Sequence, residues 1–386
     1  MAPSWTSASL IVVCREGEER WVCESRSPFR GRTLAGVRRF TGSGAGSAGA
    51  ACRPRSERAT GPIRLCRELR DVAVIERLPM RVGQADIDRL EGVIGTLRAR
   101  DYREGGGACR ELLRVLEPYG VALRRGMMSE ALARRLAGVV ADLHNLVGWT
   151  EFDSGRPVRA ERHFRRALEL AAEAGNDDLA ANIHYRLGRM YLHHRSPVEA
   201  LDQFGQGQLA ARRAGTPLSQ AILSANEAWA YALLGDVRQA LDKLSHAPEQ
   251  FASSSADVAP SWSAFFTAND MAAMIGTVRT ELARLVDVRH SGEAIPALTE
   301  AIDGYGPDMA RSRSLTMIWL AVDHALEGDL DRAAEVGLAA MEIADGIRSA
   351  RTRDRLRPLS ECARRRADDI NARELLDRIA TFRASA

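Results

Sequence analysis

Residues 187–204 read LGRMYLHHRSPVEALDQF, with Leu187, Gly188 and Tyr191 before a turn at Ser196-Pro197, and Ala200 and Phe204 after it. A small residue that admits a neighbouring helix, a turn, then an alanine and a large apolar residue four positions on describe two packed helices. Pro197 suits the first turn of the second helix, where the N–H it lacks would have no partner anyway. The pattern recurs on both sides. Upstream, Gly148 and Gly155 precede Ala160, Phe164 and Ala167; downstream, Ala228, Tyr231 and Gly235 precede Ala240, Leu244 and Ala247. Ala160, Ala200 and Ala240 lie 40 residues apart, and the less regular Ala294, Ala333 and Ala372 lie 39 apart. Ala108 with Leu112 and Val115 matches more loosely. A fixed period of roughly 20–50 residues marks a solenoid of repeated supersecondary units. The expected fold is therefore all-α, an α-solenoid of helix pairs over 80–386, with a surface loop at about 247–265 where Pro248, Ser253-Ser254-Ser255 and Pro260 interrupt the period.

Composition agrees. Apolar residues make up 45% of the 386, charged residues 27% and aromatics 5%, enough for a sizeable core. Lys243 is the only lysine, an arginine bias typical of a GC-rich genome, and the net charge of +3 is too small to argue for nucleic acid. Cys14, Cys23, Cys52, Cys66, Cys109 and Cys362 form no Cys-x-x-Cys pair, so they read as reduced thiols and not as a metal or redox motif. The apolar run at 10–13 is too short for a signal or membrane segment. A cytoplasmic protein is expected.

Residues 1–79 differ from the rest. The first 70 carry thirteen arginines against six acids without helical periodicity, and 41–50 read as a Gly/Ser/Ala linker. Two readings stand: a basic tail that touches nucleic acid or an acidic partner, and a disordered extension from a misplaced start codon or a frameshift upstream of Met80. The disordered extension is the one expected.

The strings at 101–110 (DYREGGGACR), 185–194 (YRLGRMYLHH) and 225–236 (ANEAWAYALLGD) resemble actinobacterial tetratricopeptide-repeat regulators. These carry a helix-turn-helix domain before a tetratricopeptide arm and are associated with differentiation and secondary metabolism. The resemblance covers roughly 80–386, with the unit stretched from about 34 residues to about 40. It implies a non-enzymatic scaffold for a protein or peptide, acting in transcriptional control. Residues 1–79 show no helix-turn-helix pattern, so DNA contact is expected to be indirect; the alternative is a DNA-binding regulator that uses this region or a partner chain. A homo-oligomer stays open.

The resemblance also implies a concave groove lined by the first helix of each unit. Its positions fall on Asp142, Asn145, Trp149, Phe152 and Asp153, then Asn182, Tyr185, Arg189, Leu192 and His193, then Ile222, Trp229 and Leu233. The groove proper is assigned to Asn145, Trp149, Phe152, Asn182, Tyr185, Arg189, His193 and Trp229. Aromatic rings interleaved with amides and arginine suit a peptide; buried packing tryptophans are the competing reading. On the groove reading, alanine at Trp149 and Trp229 removes binding and spares folding.

No catalytic, cofactor or metal site is read. The run Gly105-Gly106-Gly107 lacks the Gly-Lys-Ser/Thr of a phosphate loop and reads as a turn between helices. His184 and His193, nine apart, sit on opposite faces of one helix; with His144, His163 and His194 they form no ligand spacing. Glu161, Asp177, Asp178, Asp329 and Asp331 fall in helix starts and turns, where capping explains them. An enzyme would have room for a site only in the 246–268 insertion.

Overall fold

A computed structural model of the chain describes residues 9–15, 18–24, 78–254 and 259–384. Backbone contacts divide it into Met1–Leu78 and Pro79–Ala386, each taken by itself below. In the first unit β1 (Ser9–Arg15) and β2 (Glu18–Glu24) pair antiparallel, with Val12 opposite Trp21. The apolar run at 10–13 is thus the middle of a strand, as β-branched Ile11, Val12 and Val13 favour. The remainder of the disordered extension expected at 1–79 lies outside the described residues up to 77.

The second unit is helical. In order it holds α1 (Gln84–Glu104), α2 (Gly106–Leu123), α3 (Glu130–Asp153), α4 (Pro157–Ala174), α5 (Asp177–His193), α6 (Pro197–Ala214), α7 (Pro217–Leu233) and α8 (Val237–Ala252). There follow α9 (Ala268–Leu285), α10 (Ser291–Gly304), α11 (Ala310–Glu327), α12 (Leu330–Asp345), α13 (Ala350–Arg355), α14 (Arg357–Arg364) and α15 (Ile370–Ala384). Each of α3/α4, α5/α6, α7/α8, α9/α10 and α11/α12 packs as a hairpin, and each hairpin packs on the next. This is the expected all-α helical repeat.

The repeated small residues do what their spacing requires. A Cβ at Gly148 would lie 2.8 Å from the Phe164 ring, and one at Gly188 would overlap Phe204. Phe164 and Phe204 are fully buried in the gaps so formed. Gly276 admits Leu298 in the same way, and in the next pair the roles swap, with Gly337 facing Ala321. Pro157, Pro197 and Pro217 all occupy first turns. Asp329 caps α12 by accepting from the Arg332 N–H (3.0 Å), while Asp177 instead pairs with Arg213 (2.8 Å).

One boundary differs from expectation. The segment expected as a surface loop at 247–265 begins inside α8, which runs to Ala252 with Pro248 within it. Past the last hairpin, the helix is interrupted at Leu356, between α13 and α14.

The array also closes on itself. Arg311 on α11 reaches Asp101 on α1 (2.9 Å) and Asp153 at the end of α3 (3.2 Å). The strand-like stretch before α13 lies on the triple glycine: Gly107 N–H donates to Arg348 O (3.1 Å), and Arg348 N–H to Glu104 O (3.0 Å). Gly105 has φ 84°, and a Cβ there would sit 2.8 Å from Arg348 O; one on Gly106 would sit 2.9 Å from Asp153 Cβ. The triple glycine is therefore the expected turn, and glycine is needed because two backbones meet there.

Candidate functional site: a channel of arginine and indole

Closure narrows the expected groove into a channel that stays partly open to the outside. Trp149 from α3, Tyr185 and Arg189 from α5 and Trp229 from α7 converge on one cavity of about 130 Å³. A second cavity of about 240 Å³ adjoins it, and Trp229, Trp319 and Arg355 line both. His193 lines the second, with Nε2 3.2 Å from Asp354 Oδ2. Burial lowers the His193 imidazole, against the opposing pull of its bond to Asp354.

Three of the expected groove residues serve packing. Asn145 is fully buried and donates to Asn182 Oδ1 (3.0 Å), while its backbone carbonyl accepts from Arg186 (2.9 Å). Asn182 in turn donates to the carbonyl of Trp262 (3.2 Å). Phe152 packs edge-on against Trp149 and His193, with ring centroids 5.5 and 5.3 Å away. Trp149 and Trp229 are only 7% and 3% exposed. The expectation that alanine at both would spare folding is thus corrected: each indole is at once channel lining and core.

Asp153, placed on the groove face by the repeat positions, is the keystone of closure. Its Oδ2 accepts from Gly106 N–H (2.9 Å) and Arg311, and its Oδ1 from Ser349 Oγ (2.8 Å) and Arg351 Nε (3.1 Å). Burial alone would raise its carboxyl; Arg311 and Arg351 overcome that and hold it below the usual range.

The remaining guanidiniums lie on rings. Arg189 and Arg355 sit 4.5 and 4.7 Å from the centre of the Trp229 ring, and Arg355 is 5.1 Å from that of Trp319. Arg186 and Arg351 flank Trp149 at 5.2 and 4.6 Å. Burial, and then the charge of Arg189, push the Arg355 guanidinium down to about 9. The later part of the 247–265 stretch, expected at the surface, instead brings Phe265 to stack on Tyr185 at 5.9 Å and anchors Trp262 Nε1 on Asp178 Oδ2 at 3.0 Å.

Sequence reasoning missed Arg186, Arg351, Arg355 and Trp319, although a signal for two of them was present. Arg186, Asn226, Met274 and Trp319 each stand two residues before the small residue of their unit, and all four line the cavity. Arg351 and Arg355 lie outside the period, in α13.

Away from the channel, Glu117, His144 and His163 bring one potential metal ligand atom each within 4.8 Å of one another. The two imidazoles meet Nδ1 to Nδ1 at 3.0 Å, as a donor and an acceptor do. Burial first, then His163, Arg166 and Arg124, hold His144 down to about 4. The pair is thus held neutral, with the two facing ring nitrogens bonded to each other.

No family model matches the chain, and no curated protein matches it. Among solved structures it is similar to one described as Rap protein complexed with competence and sporulation factor, at 13% identity and a TM-score of 0.45. That likeness spans 78% of this chain and 88% of the other. The helical-repeat assignment rests on the helix pairs described above. Among the described residues no helix is long and apolar enough to cross a membrane.

Proposed function

We propose that this chain is a non-enzymatic regulatory scaffold, a ring of tetratricopeptide-like helix pairs whose central channel receives a peptide or a segment of a partner protein. The observation that carries the reading is the convergence of Trp149, Tyr185, Arg189 and Trp229 on a single cavity. Indole, phenol and guanidinium groups on rigid helices supply large contact area and directional donors at little ordering cost, as binding hot spots do. The resemblance to actinobacterial regulators adds a role in transcriptional control of differentiation or secondary metabolism, with DNA contacted indirectly and the protein cytoplasmic.

The test uses the full chain incubated with a pool of random octapeptides, gel-filtered, and analysed for retained peptide by mass spectrometry. Retention is expected in the wild type and is lost in Ala273→Phe, which fills the cavity from a half-buried lining position. Absence of retained peptide, or retention unchanged by Ala273→Phe, would count against the channel as the peptide site.

A further inference from the structure

We infer that the channel holds a carboxylate borne beside a flat apolar group, seated between the guanidiniums of Arg189 and Arg355 against Trp229 and Trp319. This rests on the reading of the channel as a ligand site and names the chemistry of its occupant.

The argument is one of charge and geometry. Five arginines line the larger set of cavity walls, and one carboxylate, Asp270, lines it with them. Arg311 and Arg351 are matched by Asp101 and Asp153. The other three meet no carboxylate within ion-pair distance among the described residues. Arg186 donates to the backbone carbonyl of Asn145, and Arg189 to Asn226 Oδ1 at 3.1 Å and Met274 Sδ at 3.7 Å.

Nearby acids are already engaged. Glu281 pairs with Arg284 (3.0 Å) and accepts from Trp229 Nε1 (3.4 Å), and Asp354 faces His193. Asp270 accepts from the Tyr305 hydroxyl (3.0 Å) and from the Thr267 hydroxyl (2.8 Å), so its oxygens are already engaged. The channel is left with an excess of buried cations, which costs free energy until an anion enters.

Ring contact shapes what that anion is. A guanidinium lying on an indole still directs its N–H groups outward in its own plane; Arg189 gives Nη1 to Asn226 and Met274, and a carboxylate is matched by the remaining donors of Arg189 and Arg355. Trp229 and Trp319, buried but lining both cavities and set edge to face with ring centroids 6.4 Å apart, supply the apolar wall beside it. Cavities of about 130 and 240 Å³ hold a side chain with its carboxylate, or the end of a peptide, and not a folded surface. The free end of a peptide, an acidic side chain and a free aromatic acid all present this chemistry.

The experiment titrates the full chain with the random octapeptide pool bearing a free carboxyl end, the same pool amidated, indole-3-propionate and indole-3-propionamide. Acid over amide retention by at least roughly tenfold is expected, since a desolvated charge-assisted pair is being removed. Arg355→Met and Arg189→Met, which keep the alkyl stems, should each erase the preference and still melt cooperatively. Equal retention of both pools with Asp and Glu enriched in what is retained puts the carboxylate on a side chain and supports the inference. Equal retention without that enrichment overturns it while the peptide reading stands. Binding of indole-3-propionate but not its amide, with no peptide retained, supports the carboxylate seat and overturns the peptide reading. Binding of none of the four overturns both.

Discussion

The hairpins α3 to α8 and the segments that close the ring are built on different physics. In the hairpins, small residues and large apolar ones (Phe164, Phe204, Leu244) recur every 40 residues and each side chain is explained by its nearest neighbours in sequence. In the closure, Asp101, Asp153, Arg311 and Arg351 come from four distant helices, and none is explained without the others. Apolar packing in the first adds up unit by unit. The second is a buried charge network, which fails as a whole once a member is removed.

That contrast is broken most severely at Asp153. Asp153→Ala leaves Arg311 with one acid and Arg351 with none, and should cost about 3–5 kcal/mol. Hydrogen exchange should then rise first across 345–357 and the Gly105 turn, with α5 to α8 still protected. Uniform loss of protection would show that the ring and the hairpins fold as one unit, contrary to the division drawn here.

Phe204→Ala should cost a comparable or slightly smaller amount, about 3–4 kcal/mol, because the side chain is fully buried against Gly188. Here the exchange should rise in α5, α6 and their neighbours while the closure persists. Gly188→Ala probes the same gap from the other side, since its added methyl meets the ring.

The two regions also differ in what the sequence displays. Period and residue size made the hairpins legible: Gly148, Gly188, Phe164 and Phe204 could be assigned to packing before any coordinates. The channel was half legible. Trp149, Tyr185, Arg189 and Trp229 followed from repeat positions, yet Asn145 and Asn182 satisfy each other and leave nothing for a ligand. Arg351 and Arg355 were illegible, because charges six and ten residues past the last hairpin carry no periodic signature. Only the ring closure brings them to Trp149 and Trp229. Phe265 was hidden for a related reason, since a stretch bounded by serines and prolines reads as surface.

A titration inside the periodic region sharpens the comparison further. His144 is held down to about 4 by burial and by His163, against about 6.5 in the unfolded chain. Between those values the unfolded chain binds the proton and the folded one does not, so stability is full above about pH 6.5 and falls as the pH drops towards 4. The loss should approach about 3 kcal/mol, and urea midpoints between pH 7 and 4 would show it. His144→Gln should flatten most of that slope. The Asp153 network works in the same direction but at lower pH, because its carboxyl is depressed and its contribution disappears only on acidification through the carboxylate range.

The smallest expected effect lies where the repeat departs from its own rule. Gly155 and Gly235 end the first helix of their units with left-handed backbone, at φ 76° and 74°, and the equivalent position 40 residues from each holds Arg195 at φ 60°. A side chain in that region brings Cβ close to the following carbonyl, a strain of roughly 1–2 kcal/mol that glycine avoids. Glycine loses more freedom on folding, which offsets part of the gain. Arg195→Gly should therefore stabilise the chain by about 0.5–1 kcal/mol. Arg195 lines the second cavity and not the first, whereas Arg189 lines the first and Arg355 both, so its loss should leave the carboxylate preference untouched. A destabilised Arg195→Gly would mean that its side chain makes a contribution there larger than the backbone strain, and the 40-residue equivalence of the turns would then hold for geometry but not for energy.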